Sequence, residues 1–359
     1  MRKIVNSLLV CMLIISICGC QARELTSVGS YAEEKPHNYT FTAFDTECAI
    51  SIYGVADKDT SSIYANDMVA LIKSYDELFS RSEEGSQIYE INNRKSDSVL
   101  VANEICEILG IAKDFNYWSR GKFDISIGTL IDLWDVKNRK TLPTEEEIAE
   151  AKSHVNNYSY MIENSVSDEK GRNNKVTFYG DTKTQYDFGA LIKGYCCDAL
   201  KEMIHENDYI KACIVNLGGN VLCVGQLDNK VDGAFNVGIF KPFSENEIIE
   251  QVKVVDKNVI TSGNYQRYFK VDGDNRVYSH IIDPETGYPV NNGLDSVTII
   301  SENGLLGDYL STACMLLGER ESKELIDFCK KTFGDDDLQA IFVHSSGKVT
   351  KYPKNVKHY

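Results

Sequence analysis

From Phe41 to Val343 the chain alternates between two apolar periods, and no polar, repetitive or Gly/Pro-rich stretch parts one domain from another. Period two marks a strand with one buried face, and a stripe at i, i+3, i+4 and i+7 marks a helix. Phe41 to Tyr53 reads as a strand ended by Gly54. Ile63, Met68, Leu71, Ile72, Tyr75, Leu78 and Phe79 predict a helix over 61–79, and a second runs from Asn103 to Ser119, closed by Gly121. Thr144-Glu-Glu-Glu after Pro143 opens a short acidic helix, with Thr144 as N-cap and Glu147 at the capping-box position. Short strands and polar turns fill 158–187, and a helix follows to about 206. Val215–Gly225, Phe235–Phe240 and Gln251–Ile260 read as strands, and a hairpin turns at Asp272-Gly-Asp-Asn. Helices over 305–317 and 319–332 precede a closing strand, Gln339–Val343. Interleaving of this kind predicts one interlocked α+β unit.

The first nineteen residues differ from the rest. Arg2 and Lys3 precede an apolar run from Ile4 to Ile17, too short for a span of roughly 20 residues but of signal-peptide length. It runs into Ile17-Cys18-Gly19-Cys20, which resembles a bacterial lipobox, with Cys20 as the lipidated residue and new N-terminus. An ordinary signal peptide with a coincidental Cys is the other reading. The expected organisation is a lipoprotein signal over 1–19, a lipidated Cys and polar tether over 20–38, and a domain over 39–359, held at the outer face of the cell membrane. Losing Arg2 and Lys3 takes the formal charge from −15 to −17. A chain this acidic is not a general nucleic-acid binder and is repelled by anionic headgroups, so an anionic ligand needs a local device. Of eleven Cys, three belong to the export segment. The other eight lie mostly in apolar runs, with no CxxC among them, which predicts buried thiols rather than a framework of bridges.

The chain has no P-loop, dinucleotide GxGxxG, HExxH or GxSxG. Three segments could carry chemistry. Asp187-Phe-Gly-Ala-Leu-Ile-Lys-Gly-Tyr places Asp187 as N-cap of an amphipathic helix, with Lys193 one turn in. Its first turn is either an anion site or an ordinary capped start. In Asp308-Tyr-Leu-Ser-Thr312 a carboxylate and a hydroxyl share a helix face, suiting a hard cation such as Mg²⁺ or simply bonding their own helix. His280, in an alternating strand before Asp283-Pro, reads as a general base or phosphate partner, or as a satisfied core histidine.

Together these segments resemble the ApbE family, the bacterial FAD:protein FMN transferases, over nearly all of 40–350. The resemblance rests on ordered blocks: Gly121–Trp134, Asp187–Asp198, Asn216-Leu-Gly-Gly-Asn, Thr261-Ser-Gly-Asn-Tyr-Gln-Arg-Tyr-Phe, Ser279–Pro289 and Asp308–Thr312. It implies a single catalytic domain of mainly antiparallel sheets flanked by helices. Phe44 would contact flavin, and Lys122, Phe123 and Asp124 would line the FAD pocket. Asp187, Lys193 and the Ile282 backbone would contact FAD. The Ala190 carbonyl, Asp308 carboxylate and Thr312 hydroxyl would hold Mg²⁺, and His280 would assist transfer, with His280 or a metal-side carboxylate such as Asp308 as the base. The implied reaction moves FMN from FAD to a threonine hydroxyl of an exported acceptor protein and releases AMP.

Departures from the family pattern fall in the pocket. Phe44-Asp45-Thr46 replaces Met-Gly-Thr, and Ser82 takes the place of a common pocket Tyr. Asp135-Val-Lys follows Trp134 in place of Gly-Phe-Gly, and Asn220 stands where Asp is frequent. Two other activities fit the same residues: an FAD pyrophosphatase, and a flavin-binding lipoprotein without catalysis.

Overall fold

The computed structural model describes residues 35–354, apart from 140, 157, 165–167, 169–171, 228, 229, 231 and 245. The expected signal, Cys20 and nearly all of the tether lie outside the described residues. Backbone pairing starts at His37, two residues before the expected edge of the domain.

The chain opens with a hairpin, β1 (His37–Ala43) and β2 (Thr46–Tyr53), followed by α1 (Lys58–Phe79), whose N-cap Asp57 accepts from the Thr60 amide at 2.8 Å. A single strand was expected over 41–53. The chain instead reverses at Phe44-Asp45, both at positive φ (52° and 57°), as a two-residue type I′ turn requires. Next come α2 (Gln87–Asn92), β3 (Ser98–Val101), α3 (Asn103–Trp118), α4 (Gly128–Trp134) and α5 (Glu145–Lys152). Both bonds of the capping box expected at Thr144 and Glu147 are present. Strands β4 (Tyr160–Asn164) and β5 (Asn174–Phe178) lead to α6 (Ile192–His205). The run expected as a single strand at 215–225 is a hairpin, β6 (Ala212–Leu217) with β7 (Asn220–Gly225), and the run expected at 251–260 divides between two sheets: after β8 (Phe235–Phe240), β9 (Ile248–Val254) pairs with β8, while β10 (Lys257–Gly263) pairs with β7. Positive φ at Gly218 and Gly219 makes the β6–β7 reversal, and Asp256, also at positive φ, lies where the chain passes from β9 to β10. The hairpin at Asp272 is the short pair β11 (Tyr268–Phe269) and β12 (Tyr278–Ser279). Strand β13 (Leu294–Ser301), α7 (Gly304–Phe333), β14 (Gln339–His344) and β15 (Val349–Tyr352) complete the chain. Gly318, at φ 79°, breaks α7 into the two expected segments.

Eight strands form one sheet in the order β1-β2-β6-β7-β10-β13-β14-β15, and every neighbouring pair is antiparallel. Because successive side chains leave opposite faces, β13 sends Val297 and Ile299 to α7 and Ile300 to the β8–β9 hairpin. Helices α1 and α6 cover the β1-β2-β6-β7 end of the sheet through Met68, Ile72, Cys196 and Leu200. A separate cluster ties α4 and α5 to β11 and β12, with Trp134 donating its indole N–H to the Gly287 carbonyl at 2.7 Å. The eight Cys among the described residues are all free, and all but Cys106 are buried.

Candidate active site

Helices α6 and α7 cross at two glycines. A Cβ on Gly194 would lie 2.1 Å from the Gly304 carbonyl oxygen and 2.7 Å from Asp308 Cβ, so only hydrogen permits the contact. At this crossing the Gly194 amide donates to Asp308 Oδ2 at 2.8 Å. Asp198, one turn along α6, accepts from the amides of Gly304 (2.5 Å) and Leu305 (2.8 Å) and closes the start of α7. Asp308 is thereby buried at 3% exposure. Burial lifts its carboxyl above the usual range, opposed by the Lys193 charge, the Asn220 side chain and the Gly194 amide. Thr312, one turn further, shares a hydroxyl contact of 3.1 Å with Ser262 on β10, and Ser262 meets Ser311 at 2.7 Å.

Asp187 is not the N-cap of α6. Its Oδ1 accepts from Gly189 at 2.8 Å and closes a local turn, while the helix begins at Ile192 with Leu191 as N-cap. An amide of the first helical turn, on Gly194, is already taken by Asp308, so the anion seated at this helix start is a side chain of the protein. Lys193 also lies in that first turn. Among the described residues no acceptor holds its ammonium. Lys122, by contrast, is engaged by Asp283 (2.8 Å) and Glu285 (2.6 Å), fastening the turn after α3 to the turn after β12.

His280 directly follows the two-residue β12 instead of lying within a longer strand. Its amide donates to the Arg267 carbonyl at 3.1 Å, and Nδ1 meets the same oxygen at 3.3 Å. A carbonyl only accepts, so this contact assigns the proton of the neutral ring to Nδ1 and leaves Nε2 as an acceptor. Crowding by protein and then the nearby Arg267 charge push the imidazole down to about 4, although one side of the ring opens to the cavity. Asp124 is buried and accepts from both the amide and hydroxyl of Ser126 at 2.7 Å, and burial raises its carboxyl.

One cavity of about 1190 Å³ is bounded by Phe44, Lys122, Phe123, Asp124, Asp187, Ala190, Lys193, His280, Ile282, Asp308 and Thr312. That volume exceeds the roughly 300–1,000 Å³ typical of small-ligand pockets and suits an extended dinucleotide. Among the described residues no three His, Cys, Asp or Glu cluster as a metal site. Ala190, Asp308 and Thr312 all border this cavity, and the Ala190 carbonyl, Asp308 carboxylate and Thr312 hydroxyl would make an all-oxygen set with one carboxylate, whose chemistry suits a hard ion that also takes water and ligand phosphate oxygens.

The ApbE family model matches residues 44–334, well over half of the chain. The chain belongs to the ApbE family. An FAD:protein FMN transferase of Klebsiella pneumoniae (strain 342) is 26% identical over 315 residues, covering 87% of this chain and 90% of the relative. Another, from Treponema pallidum (strain Nichols), is 27% identical over 326 residues, with 88% and 86% covered. The crystal structure of the ApbE protein of Thermotoga maritima MSB8 superposes at a TM-score of 0.72 and 28% identity, over 88% of this chain and 96% of that one. The flavin transferase ApbE of Vibrio cholerae, at 21% identity and a TM-score of 0.70, shares the fold.

Each residue outside the N-terminus expected on this ApbE-family sequence to contact FAD, hold Mg²⁺ or assist transfer borders that cavity. Sequence reasoning missed the groups that hold them. Arg81, a single cation after α1, gives no pattern, and the Lys122–Asp283 and Lys137–Asp45 ion pairs join segments 161 and 92 residues apart. The hydroxyl chain Ser311–Ser262–Thr312 was within reach, since both of its segments lie in the quoted blocks.

Proposed function

We propose that this chain is an FAD:protein FMN transferase that carries the FMN half of FAD to a threonine hydroxyl of an exported protein and releases AMP. The observation that supports it most is the meeting of Lys193, His280, Asp308 and Thr312 on one cavity of dinucleotide size, in a member of a family whose relatives carry that name. The acceptor hydroxyl oxygen forms a bond to the FMN phosphorus as the bond from that phosphorus to the AMP oxygen breaks, with its electron pair leaving on AMP. His280 Nε2 takes the hydroxyl proton. The imidazole suits this because it is neutral and its Nδ1 is already committed to Arg267. Lys193 sets a full positive charge against the pyrophosphate, which an acidic chain needs locally. Ala190, Asp308 and Thr312 would hold Mg²⁺, which when bound polarises phosphoryl oxygens and offsets charge on the leaving phosphate. Phe44 offers an aromatic face for the flavin ring, and Lys122, Phe123, Asp124, Asp187 and Ile282 form the walls.

The protein is held by lipid on Cys20 at the outer face of the membrane, where exported acceptors are met; the lipobox-like end of the apolar run supports this. Labelled palmitate incorporated into the wild type and lost in Cys20→Ser tests it, and incorporation unaffected by the change contradicts it.

Separation of the products formed from FAD, Mg²⁺ and a threonine-bearing acceptor tests the reaction. AMP with acceptor-bound flavin supports transfer, AMP with free FMN makes the chain a pyrophosphatase, and FAD recovered intact removes both.

A further inference from the structure

We infer that Arg81 is the positioning residue that fixes Asp187 in the cavity wall and sets FAD affinity, an assignment that rests on the proposed function. Arg81 follows α1 by two residues, and its guanidinium is largely enclosed, at 19% side-chain exposure. It reaches three groups from two distant segments: the Gly128 carbonyl at 3.3 Å and Asp132 Oδ2 at 3.1 Å on α4, and Asp187 Oδ2 at 3.5 Å. Its seat is built for it. A Cβ on Gly128 would come within 2.7 Å of the guanidinium Nη2, so the bare glycine face of α4 makes the room.

The carboxylate of Asp187 is held from both sides, with Oδ1 on the Gly189 amide and Oδ2 facing Arg81. Two consequences follow from general chemistry. A carboxylate with both oxygens engaged keeps one orientation toward the cavity, so less ordering is left to ligand binding. An Asp187 stripped of Arg81 would be an uncompensated anion in a cavity that must accept a pyrophosphate, and like charges there oppose binding. Lysine cannot replace arginine fully, since an ammonium lacks the planar fork that meets three acceptors at once.

Titrating the wild type, Arg81→Met, Arg81→Lys, Asp187→Asn and the double variant R81M/D187N with FAD, followed by flavin fluorescence, tests the assignment. Arg81→Met is expected to weaken FAD binding about tenfold, with Arg81→Lys between it and the wild type. In turnover its KM for FAD should rise about as much, with kcat falling less than threefold, a split that general loss of structure would not give. In the Asp187→Asn background the same Arg81→Met change should cost about threefold or less, because no stranded carboxylate remains. Wild-type binding with Arg81→Met unchanged, or an equal loss in both backgrounds, overturns the assignment. A wild type that fails to bind FAD overturns the functional reading and this assignment with it.

Discussion

The Gly194 amide donates to Asp308 Oδ2 across 2.8 Å, where α6 and α7 touch backbone to backbone. The contact joins fold to site, since the crossing that packs the two helices also aims the carboxylate. Gly194→Ala would set a methyl against the Gly304 carbonyl, which cannot move aside as a side chain could. We expect a loss of about 2–3 kcal/mol in urea denaturation, from overpacking, with AMP release from FAD down at least about tenfold. Unchanged stability would mean that the helices separate freely and the crossing does not fix Asp308.

Asp308→Asn keeps the volume and removes the charge. Burial already disfavours that charge, so the melting temperature should stay within a few degrees while turnover falls by about a hundredfold or more. Chelation with EDTA should stop wild-type turnover and added Mg²⁺ restore it. Turnover indifferent to both treatments would remove the hard-ion site.

Since burial and Arg267 hold His280 near a pKa of about 4, its base form predominates above that value. The sign follows: kcat/KM should climb as pH rises through about 4 and level off by about pH 6, reporting the free enzyme. His280→Asn should lower the plateau and erase the limb. A limb that survives the substitution belongs to another group.

Burial outweighs the Leu305 and Gly304 donors and lifts the Asp198 carboxyl to about 6, above an unfolded aspartate near 3.9. Between about pH 4 and 6 the folded chain keeps a proton that the unfolded chain has released, so this group's contribution to stability falls as pH rises through that window. Asp198→Asn cannot titrate. The melting temperature of the wild type minus that of Asp198→Asn should therefore decline from pH 4 to pH 6, and a flat difference would contradict the burial.

Burial also raises the thiols, Cys48 and Cys106 to about 11 and Cys314 and Cys329 to about 12. In native protein at pH 8, a disulfide reagent should modify Cys106 alone, and slowly, among the eight. Rapid reaction of several would show a core more open than the structure.

Legibility in the sequence followed the range of the forces involved. The capping box at Thr144 and Glu147 and the break at Gly318 were readable because each is settled within a few residues. The turn at Phe44-Asp45 was not, since Phe and Asp at positive φ break the turn chemistry that marks a hairpin, and tertiary packing overrides it. Asp187 was misplaced as a helix cap for a related reason. An Asp ahead of an amphipathic run can cap the helix or close its own turn, and only the position of Leu191 decides. Apart from Phe44, the expected cavity residues were readable in ordered blocks, whereas Arg81 depends on a bare glycine on another helix, far along the chain.

Mass analysis of an acceptor protein incubated with this chain, FAD and Mg²⁺ tests the central claim most directly. The account predicts FMN joined through its phosphate to one threonine, one AMP released per adduct, and no adduct when that threonine is changed to valine. AMP and free FMN appearing while the acceptor mass stays unchanged would contradict it.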